Sequence, residues 1–284
     1  MDAAALGRAA GDLPQAGRFE TAAKDLSTAF NRELWDESEG TFYSGYFEPA
    51  KNAAAEKNGG SGVGPMKLKM SGNLVEPTVY PAIFALDRGI VSPEHRPKVL
   101  QYLMQHRDLE GRMMIYYYLH KVLYSADSPD CDKEVLDCYR KRWQGMVQSP
   151  AQCSWEMLDG RKGGSIAHCY GMFPGYFLSA YVLGVRRDEP VAGKQLWIEP
   201  HLGDLTQAEG TVVTEFGPVP VSWKKNGEEL ILQITVPLGA TTTLALPLKS
   251  GRDEFKVDGK VQKGRIQVSR LVAMLPPGAH HVVY

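Results

Sequence analysis

The sequence predicts a multi-domain α and β protein, with helical hairpins in residues 1–187 and an antiparallel β-sandwich in residues 188–284. Apolar residues recur at helical spacing in the first part, and no strand pattern precedes residue 194. After Val185 the composition changes to short alternating segments rich in β-branched residues, separated by Gly, Pro and Asn-Gly turns. Helices joined by short loops pair as α-hairpins, and short antiparallel strands at this spacing stack as a sandwich.

About seven helices are expected in the first part of the chain. Phe19, Leu26 and Phe30 belong to an apolar stripe that marks a long second helix with one buried face. Ser92 followed by Pro93 is typical of a helix start, because serine caps the free N–H groups and proline fits the first turn. The expected helices cover about residues 2–11, 14–35, 77–88, 93–106, 110–125, 132–146 and 172–184.

Residues 46–70 are rich in Gly, Lys and Ala and predict a loop. Within it, residues 51–65 fit either a lid over a site or a surface loop, and composition does not choose between the two. The role of this segment therefore stays open at the level of sequence.

The second part holds a series of short strand candidates with turns between them. Asn226-Gly227 and Asp258-Gly259 are typical of hairpin turns, because these residue types accept the positive φ that such turns require. His280 and His281 are adjacent in the last candidate and are expected to point to opposite faces as ordinary sheet or surface residues. The candidates are 196–200, 211–217, 219–225, 229–237, 241–247, 254–259, 265–270 and 280–284.

The composition excludes several classes of partner. The 284 residues carry a net charge of −1 with a pI near 6.7, so neither a nucleic acid nor an anionic membrane is expected to bind. Four cysteines show no C-x-x-C spacing and no disulfide-scaffold density, which predicts reduced thiols and a cytoplasmic setting. The N-terminal residues lack the features of a secretory signal, and no apolar stretch reaches membrane-spanning length.

The stretch from Cys153 to Val185 combines several features of a functional site. Trp155 and Glu156 place an aromatic ring beside a carboxylate, a Gly-rich turn follows, and then come Ser165 and His168 in the order S-x-x-H. An apolar helix with Pro174 in its first turn is predicted directly behind them. Loops that carry such side chains on a rigid scaffold are where many functional sites lie.

This stretch resembles the end of the catalytic domain of α-L-rhamnosidases, glycoside hydrolase family seventy-eight. The helix followed by W-D-x-x-x-G-x-[FY] from Trp35, and LWIEPHLGDL followed by AEGTV near residues 196–212, are also similar to that family. The resemblance implies a six-hairpin (α/α)₆ toroid followed by a C-terminal β-sandwich. Because about seven helices are expected rather than the toroid's twelve, it implies a partial toroid, its second half, followed by the sandwich.

The resemblance implies that Glu156 is the general base of an inverting glycosidase. Inversion needs two carboxylates roughly 6.5–9.5 Å apart, with room for a water molecule that one of them activates. The alternative is an ordinary loop carboxylate that caps a helix or pairs with Arg161. The order of the W-E pair, the Gly turn and S-x-x-H favours the catalytic interpretation. The family's general acid lies in the earlier half of its toroid, and no stretch of this sequence matches that region.

The resemblance also implies residues for sugar binding. His168 matches a histidine that contacts the sugar, and the alternative of a hydrogen-bonded core histidine stays open. Trp155 and Trp143 would form apolar walls for the methyl group of a deoxy sugar, with core packing the favoured alternative for Trp143. Asp159 would orient the base or the water molecule, although capping the following turn is the preferred interpretation.

The predicted function is an α-L-rhamnosidase-like glycoside hydrolase, or the C-terminal part of one, acting on terminal α-L-rhamnosides. The alternatives are a non-catalytic carbohydrate-binding or degenerate remnant without the general acid, and another six-hairpin glycosidase with a different sugar. No cofactor and no metal are expected, because Walker, H-E-x-x-H and Cys/His metal patterns are absent from the sequence. The expected partners are a rhamnose-containing glycoside and either the first half of the toroid or further copies of the chain. Little or no turnover is predicted for this chain alone.

Overall fold

The computed structural model describes residues 2–46, 70–71, 73–107, 109, 113–150, 152–158, 165, 167–187 and 195–284. The chain divides into two compact units, Met1–Glu110 and Gly111–Tyr284. The predicted loop at residues 51–65 and Asp159 lie outside the described residues. No helix in the described ranges combines the length and the apolar character needed to cross a membrane.

The first unit is mainly helical. Its second helix begins at Asp12, whose carboxylate accepts the Gln15 N–H at 3.1 Å, with Pro14 in the first turn. Buried side chains that include Phe42, Ile83 and Leu103 form its interior, and each contributes about 1.5–3 kcal/mol by leaving water. The helices in the described part of this unit are α1 (Asp2–Ala9), α2 (Leu13–Glu33), α3 (Val79–Asp87) and α4 (Arg96–Gln105).

Two expectations about this unit are wrong. The helix expected to start at Pro93 begins at Arg96, because Ser92 carbonyl oxygen accepts the N–H groups of both His95 and Arg96 at 3.1 Å and so closes a separate turn. Strands also occur before residue 194, and those described in this unit are only two residues long and therefore too short to produce an alternating pattern. They are β1 (Trp35–Asp36), β2 (Thr41–Phe42), β3 (Gly45–Tyr46), β4 (Met70–Ser71) and β5 (Leu74–Val75).

The second unit opens with helices and continues into the sandwich. The single helix expected at residues 172–184 consists of three consecutive helical segments of different pitch, and Pro174 lies in a first turn as predicted. The helices are α5 (Met113–Tyr124), α6 (Pro129–Arg142), α7 (Gln144–Val147), a 3₁₀ turn (Cys169–Met172), α8 (Phe173–Phe177) and a π-helical turn (Leu178–Val182).

The sandwich consists of a six-stranded sheet and a five-stranded sheet. The predicted fold class, helical hairpins followed by a β-sandwich, is confirmed. The predicted boundary between residues 187 and 188 stays a prediction. The strands are β6 (Val185–Arg187), β7 (Gln195–Ile198), β8 (Gln207–Thr214), β9 (Gly217–Asn226), β10 (Glu229–Val236), β11 (Thr241–Pro247), β12 (Glu254–Val257), β13 (Lys260–Lys263), β14 (Arg265–Gln267), β15 (Arg270–Leu275) and β16 (Gly278–Val283).

The order of strands differs from a purely antiparallel sandwich at one place. The six-stranded sheet has the order β13-β12-β16-β10-β9-β8, and the five-stranded sheet has the order β14-β15-β11-β7-β6. In the second sheet β7 and β11 run parallel, because the chain passes through three strands of the other sheet between them. The other pairs of these two sheets are antiparallel, as the sequence predicts.

The sandwich core extends into the helical residues that precede it. Leu136 and Val182 belong to the same buried cluster as the strand residues Leu196 and Leu232. The Trp223 indole N–H donates to the Val182 carbonyl oxygen at 2.8 Å, which ties β9 to the helical segment. The helices and strands of this unit therefore share one interior.

Gly184 allows the chain to pass from that helical segment into the first strand of the sandwich. Its φ is +84°, and a Cβ atom there would lie 2.4 Å from the Glu199 carbonyl carbon and the Pro200 nitrogen. Both the left-handed backbone and the close approach of the next segment therefore require glycine.

Candidate active site

The loop between Ser154 and His168 is closed by two sets of hydrogen bonds. The His168 N–H donates to the Ser154 carbonyl oxygen at 2.8 Å, and the Ser154 hydroxyl donates to the His168 carbonyl oxygen at 2.6 Å. Further along the loop, the Glu156 N–H donates to the Ser165 carbonyl oxygen at 2.9 Å. The W-E segment and the S-x-x-H segment, which the sequence separates by a Gly-rich turn, are therefore paired side by side.

Glu156 has one carboxylate oxygen held in place. Oε2 accepts the Ser165 N–H at 2.9 Å, so the serine of S-x-x-H orients the carboxylate through its backbone. Within the described ranges, Oε1 has no hydrogen-bond partner, and the residue is half-buried. A carboxylate that is fixed through one oxygen can accept a proton from a water molecule or a hydroxyl group through the other.

His168 lies at the start of the 3₁₀ turn and caps it. Its Nδ1 accepts the Tyr170 N–H at 3.2 Å, and its ring packs edge-on against the Tyr170 ring at 4.1 Å between centroids. Because Nδ1 accepts, the proton of the neutral imidazole is on Nε2. His168 is half-buried and can therefore offer Nε2–H as a donor to a ligand oxygen.

Trp143 is part of the packed interior behind this loop. It is 6% exposed, its indole N–H donates to the Gly171 carbonyl oxygen at 2.9 Å, and its ring lies 5.2 Å from that of Phe173 and 5.4 Å from that of Tyr139. This placement fits the packing interpretation of Trp143. Its role as a wall for a sugar stays a prediction.

Trp155 is half-buried and lies next to Glu156 in the chain. Its carbonyl oxygen would be 2.8 Å from a Cβ atom at Gly171, so the loop and the 3₁₀ turn are in close contact there. The indole N–H of Trp155 is buried and has no hydrogen-bond partner among the described residues. A buried donor without a partner costs about 1–3 kcal/mol, so this N–H calls for an acceptor that the described residues do not supply.

The structure brings Trp155, Glu156 and His168 to one loop and leaves Asp159 untested. Asp159 and the glycines of the turn lie outside the described residues, so the predicted role of Asp159 stays a prediction. Trp143 is connected to this group through Gly171 rather than through the loop itself. The roles assigned to these residues from the sequence are taken up below as proposals.

His120, which the sequence analysis did not select, lies among the same aromatic side chains. It is 1% exposed, its Nδ1 is 3.1 Å from the Tyr139 hydroxyl oxygen, and its ring lies 5.6 Å from that of Phe173. Burial lowers the pKa of His120 to about 3, so it is neutral at physiological pH. His120 is therefore a packing residue beneath the loop rather than an acid.

A second group of ionisable side chains, which the sequence analysis missed, joins α6 and the α5–α6 turn to the sandwich. Asp127, Glu199 and His201 bring ligand-type atoms within 4.8 Å of one another, a spacing that suits a metal ion. However, Arg270 Nε lies 3.0 Å from Asp127 Oδ2 and 3.3 Å from Glu199 Oε1, and a terminal nitrogen of Arg270 lies 3.3 Å from His201 Nε2. Because the Arg270 guanidinium already lies between these three side chains, we interpret the group as an ion-pair cluster.

Two pKa shifts follow from the geometry of this ion-pair cluster. Burial would raise the pKa of Glu199, but His201, Arg186 and Arg270 outweigh burial and lower it to about 2. Burial would lower the pKa of His201, but Asp132 and Glu199 outweigh burial and raise it. Glu199 and His201 are two residues apart in the chain. In an extended segment this spacing places both side chains on the same side, and it is the signal by which the sequence could have indicated this cluster.

Comparisons with known proteins agree with this architecture. The bacterial α-L-rhamnosidase C-terminal domain matches residues 184–261 of the chain, whereas no curated protein sequence matches. The structure is similar to α-L-rhamnosidase from Dictyoglumus thermophilum, with a TM-score of 0.73 and 16% identity over 99% of this chain and 30% of that one. It is also similar to Streptomyces avermitilis α-L-rhamnosidase complexed with L-rhamnose, with a TM-score of 0.70 and 17% identity over 99% of this chain and 25% of that one.

A third similar structure is the α-L-rhamnosidase from Aspergillus terreus, with a TM-score of 0.68 and 17% identity over 99% of this chain and 28% of that one. The chain thus spans 25–30% of the length of these relatives. At identities of 16–17%, the structural similarity shows the fold alone. With the helical hairpins, the β-sandwich and the family match at residues 184–261 taken together, the chain has the architecture of the C-terminal region of α-L-rhamnosidases.

Proposed function

We propose that the chain is the C-terminal part of an inverting α-L-rhamnosidase in which Glu156 is the general base. The observation that carries the proposal is the pairing of Glu156 with Ser165 and of Ser154 with His168, which places a fixed carboxylate and an imidazole on one closed loop. The rhamnose-bound relative supports a carbohydrate ligand for this fold. The shared architecture supports a glycoside hydrolase of the α-L-rhamnosidase type.

In the proposed mechanism Glu156 Oε1 removes a proton from a water molecule, and that water attacks the anomeric carbon as the bond to the leaving oxygen breaks. The Ser165 N–H bond to Oε2 keeps the other lone pairs aimed at the water. The Nε2–H of His168 donates to a sugar hydroxyl and positions the ring. Protonation of the leaving oxygen requires a general acid, which we propose comes from the earlier half of the toroid.

We propose L-rhamnose as the sugar, with Trp155 beside its methyl group. A deoxy sugar carries an apolar methyl group where other hexoses carry a hydroxyl group, so a half-buried indole ring offers it a dry surface. The buried indole N–H of Trp155 would then find a partner in a ligand oxygen or a bound water.

The experiment compares wild type, Glu156→Gln and the surface control Glu229→Gln on an aryl α-L-rhamnoside. Glutamine keeps an oxygen for the Ser165 N–H but cannot take a proton, so any turnover should fall by about 10²–10⁴-fold in Glu156→Gln and remain in the control. The thermal unfolding temperature of all three proteins should rise by about 2–5 °C when L-rhamnose is added at ten times its dissociation constant.

The two measurements separate catalysis from binding. Turnover that survives Glu156→Gln would contradict the general-base assignment. Rhamnose protection without any turnover would support binding by a part of an active site that lacks its acid. The absence of both turnover and protection would contradict the proposal for this chain.

A non-catalytic carbohydrate-binding function is the second candidate, and one observation favours it. The indole N–H of Trp155, which has no partner in the described part of the chain, suits the binding of a polar ligand whether or not catalysis follows. Under this candidate, rhamnose protection should be lost in Trp155→Phe, which removes the N–H but keeps an aromatic ring. Rhamnose protection should be unchanged in Glu156→Gln, and turnover should be absent from every variant.

A further inference from the structure

The outer face of the six-stranded sheet carries a row of polar side chains in exact register. On β10 the buried residues Leu232 and Ile234 point into the sandwich, so Gln233 between them points outward. Gln233 lies opposite Ser222 of β9 on one side and opposite His281 of β16 on the other. Ser222 in turn lies opposite Glu209 of β8. Four hydrogen-bonding side chains therefore cross four neighbouring strands on one level.

This row is about 14 Å long, because three interstrand spacings of about 4.8 Å separate its ends. It forms the floor of a shallow cleft of about 710 Å³ on the sheet surface.

One end of the cleft is formed by a rigid corner. Asp258 lies in a hairpin turn with a φ of +52°, and its carboxylate accepts the His281 N–H at 2.8 Å. The other carboxylate oxygen lies 2.9 Å from His280 Nδ1, and His280 Nε2 lies 2.8 Å from the Pro276 carbonyl oxygen. His280 and Asp258 thus support the end of the cleft, and their positions are set before any ligand arrives.

The polar side chains of the row are available to a ligand. Across the described residues, the side chains of Glu209, Ser222 and Gln233 make no hydrogen bond or ion pair with the protein. The residues that line this cleft include no lysine or arginine.

The chemistry of the lining selects a class of ligand. The lining carries the carboxylates of Glu209 and Asp258 and no lysine or arginine, and His280 already contacts Asp258 at 2.9 Å, so the lining disfavours an anionic ligand. The lining has no tryptophan, tyrosine or phenylalanine, so a flat aromatic ligand would find no ring to stack on. Serine, threonine, glutamine and histidine side chains, which can donate and accept, match a ligand with many neutral hydroxyl groups.

We propose that this face of the sandwich binds a neutral oligosaccharide along the row from Glu209 to His281. The cleft shares no residue with the Glu156 loop, so it is a second carbohydrate site that would hold a polymeric substrate or product against the sandwich. The proposal does not depend on catalysis by Glu156.

The test is affinity electrophoresis of the whole chain in native gels that contain soluble galactomannan, xyloglucan or arabinoxylan, beside gels that contain polygalacturonate. We expect wild type to be slowed by at least one neutral polysaccharide and to migrate freely in polygalacturonate. The double variant Ser222→Ala/Gln233→Ala should bind about tenfold more weakly, which is the loss expected from two hydrogen bonds.

Two controls make the result specific. Lys224→Ala alters the same face of β9 just outside the cleft, and Glu156→Gln alters the candidate active site; both should be slowed like wild type. Circular dichroism checks that the double variant, whose substitutions are at the surface, keeps its fold.

Any one of the following results would overturn the proposal. The first is free migration of wild type in every neutral polysaccharide. The second is equal binding by wild type and the double variant, or a loss of binding in Glu156→Gln that the double variant does not share, because the sugar would then bind elsewhere. The third is binding to polygalacturonate alone, because the charge argument would then be wrong.

Discussion

Gly171 is in close contact with both Trp143 and Trp155 of the candidate active site. Its carbonyl oxygen accepts the Trp143 indole N–H, and its α-carbon faces the Trp155 carbonyl oxygen and the Met146 sulfur. A Cβ atom at this position would lie 2.8 Å from that oxygen and 3.0 Å from that sulfur. Trp155, the residue directly before Glu156, therefore packs against a position where no side chain fits.

We predict that Gly171→Ala displaces the Trp155–Glu156 segment. The added methyl group should lower the free energy of unfolding by about 1–3 kcal/mol, the usual cost of overpacking, and should reduce protection by L-rhamnose. Chemical denaturation and thermal unfolding with and without rhamnose measure the two effects. The matched control is Gly175→Ala, where a Cβ atom would meet nothing within 4 Å. If both variants keep wild-type stability and rhamnose protection, the contact does not position the loop.

At the scale of elements, the ion-pair cluster joins the α5–α6 turn and α6 to the sandwich. His201 is 2% exposed, its Nδ1 lies 3.0 Å from Asp132 Oδ1, and its Nε2 lies 3.6 Å from Glu199 Oε1. The members carry three negative and two positive charges when His201 is neutral, so protonation of His201 brings the buried group to neutrality. The charged members are Asp127, Asp132, Glu199, Arg186 and Arg270.

We predict that the stability contributed by His201 declines as pH rises. Because its pKa is raised in the folded protein, the contribution is fully present below the ordinary value of 6.5 and is lost as pH rises through the folded-state value. The difference in unfolding free energy between wild type and His201→Asn should therefore be largest at acid pH and shrink above pH 6.5. The exposed His281→Asn is the control. A difference that does not change with pH would show that His201 does not titrate with Asp132 and Glu199.

At the scale of the whole molecule, the proposed active-site residues all belong to the second compact unit. The unit Gly111–Tyr284 contains Trp143, Trp155, Glu156 and His168, and it has a continuous buried core that runs from Leu136 to Tyr284. A core of this size supports independent folding.

We predict that a fragment of residues 111–284 folds cooperatively and keeps the rhamnose protection of the whole chain. The fragment should give one unfolding transition, because the helices and strands of this unit share one interior. Circular dichroism during urea titration, with and without L-rhamnose, measures both properties. A fragment that unfolds without a transition would show that its core is insufficient. A fragment that folds but loses protection would place part of the ligand contacts in residues 1–110.

Local signals in the sequence were enough for the helices, the turns and the class of the sandwich. Pro174 in a first turn and the Asp258-Gly259 turn act between neighbouring residues, so the sequence pattern reports them directly. The strands of two residues and the start of α4 at Arg96 were missed, because they depend on hydrogen bonds that leave no periodic pattern.

The sequence by itself determined which residue types meet in the W-E and S-x-x-H loop and which family that loop resembles. The tertiary structure decided that the Ser165 N–H holds Glu156, that Gly171 links the two tryptophans, and that Arg270 lies between Asp127 and Glu199. It also decided the level at which Gln233 meets Ser222 and His281 across the sheet. Contacts between residues distant in the chain depend on strand register and on packing, neither of which leaves a local trace in the sequence.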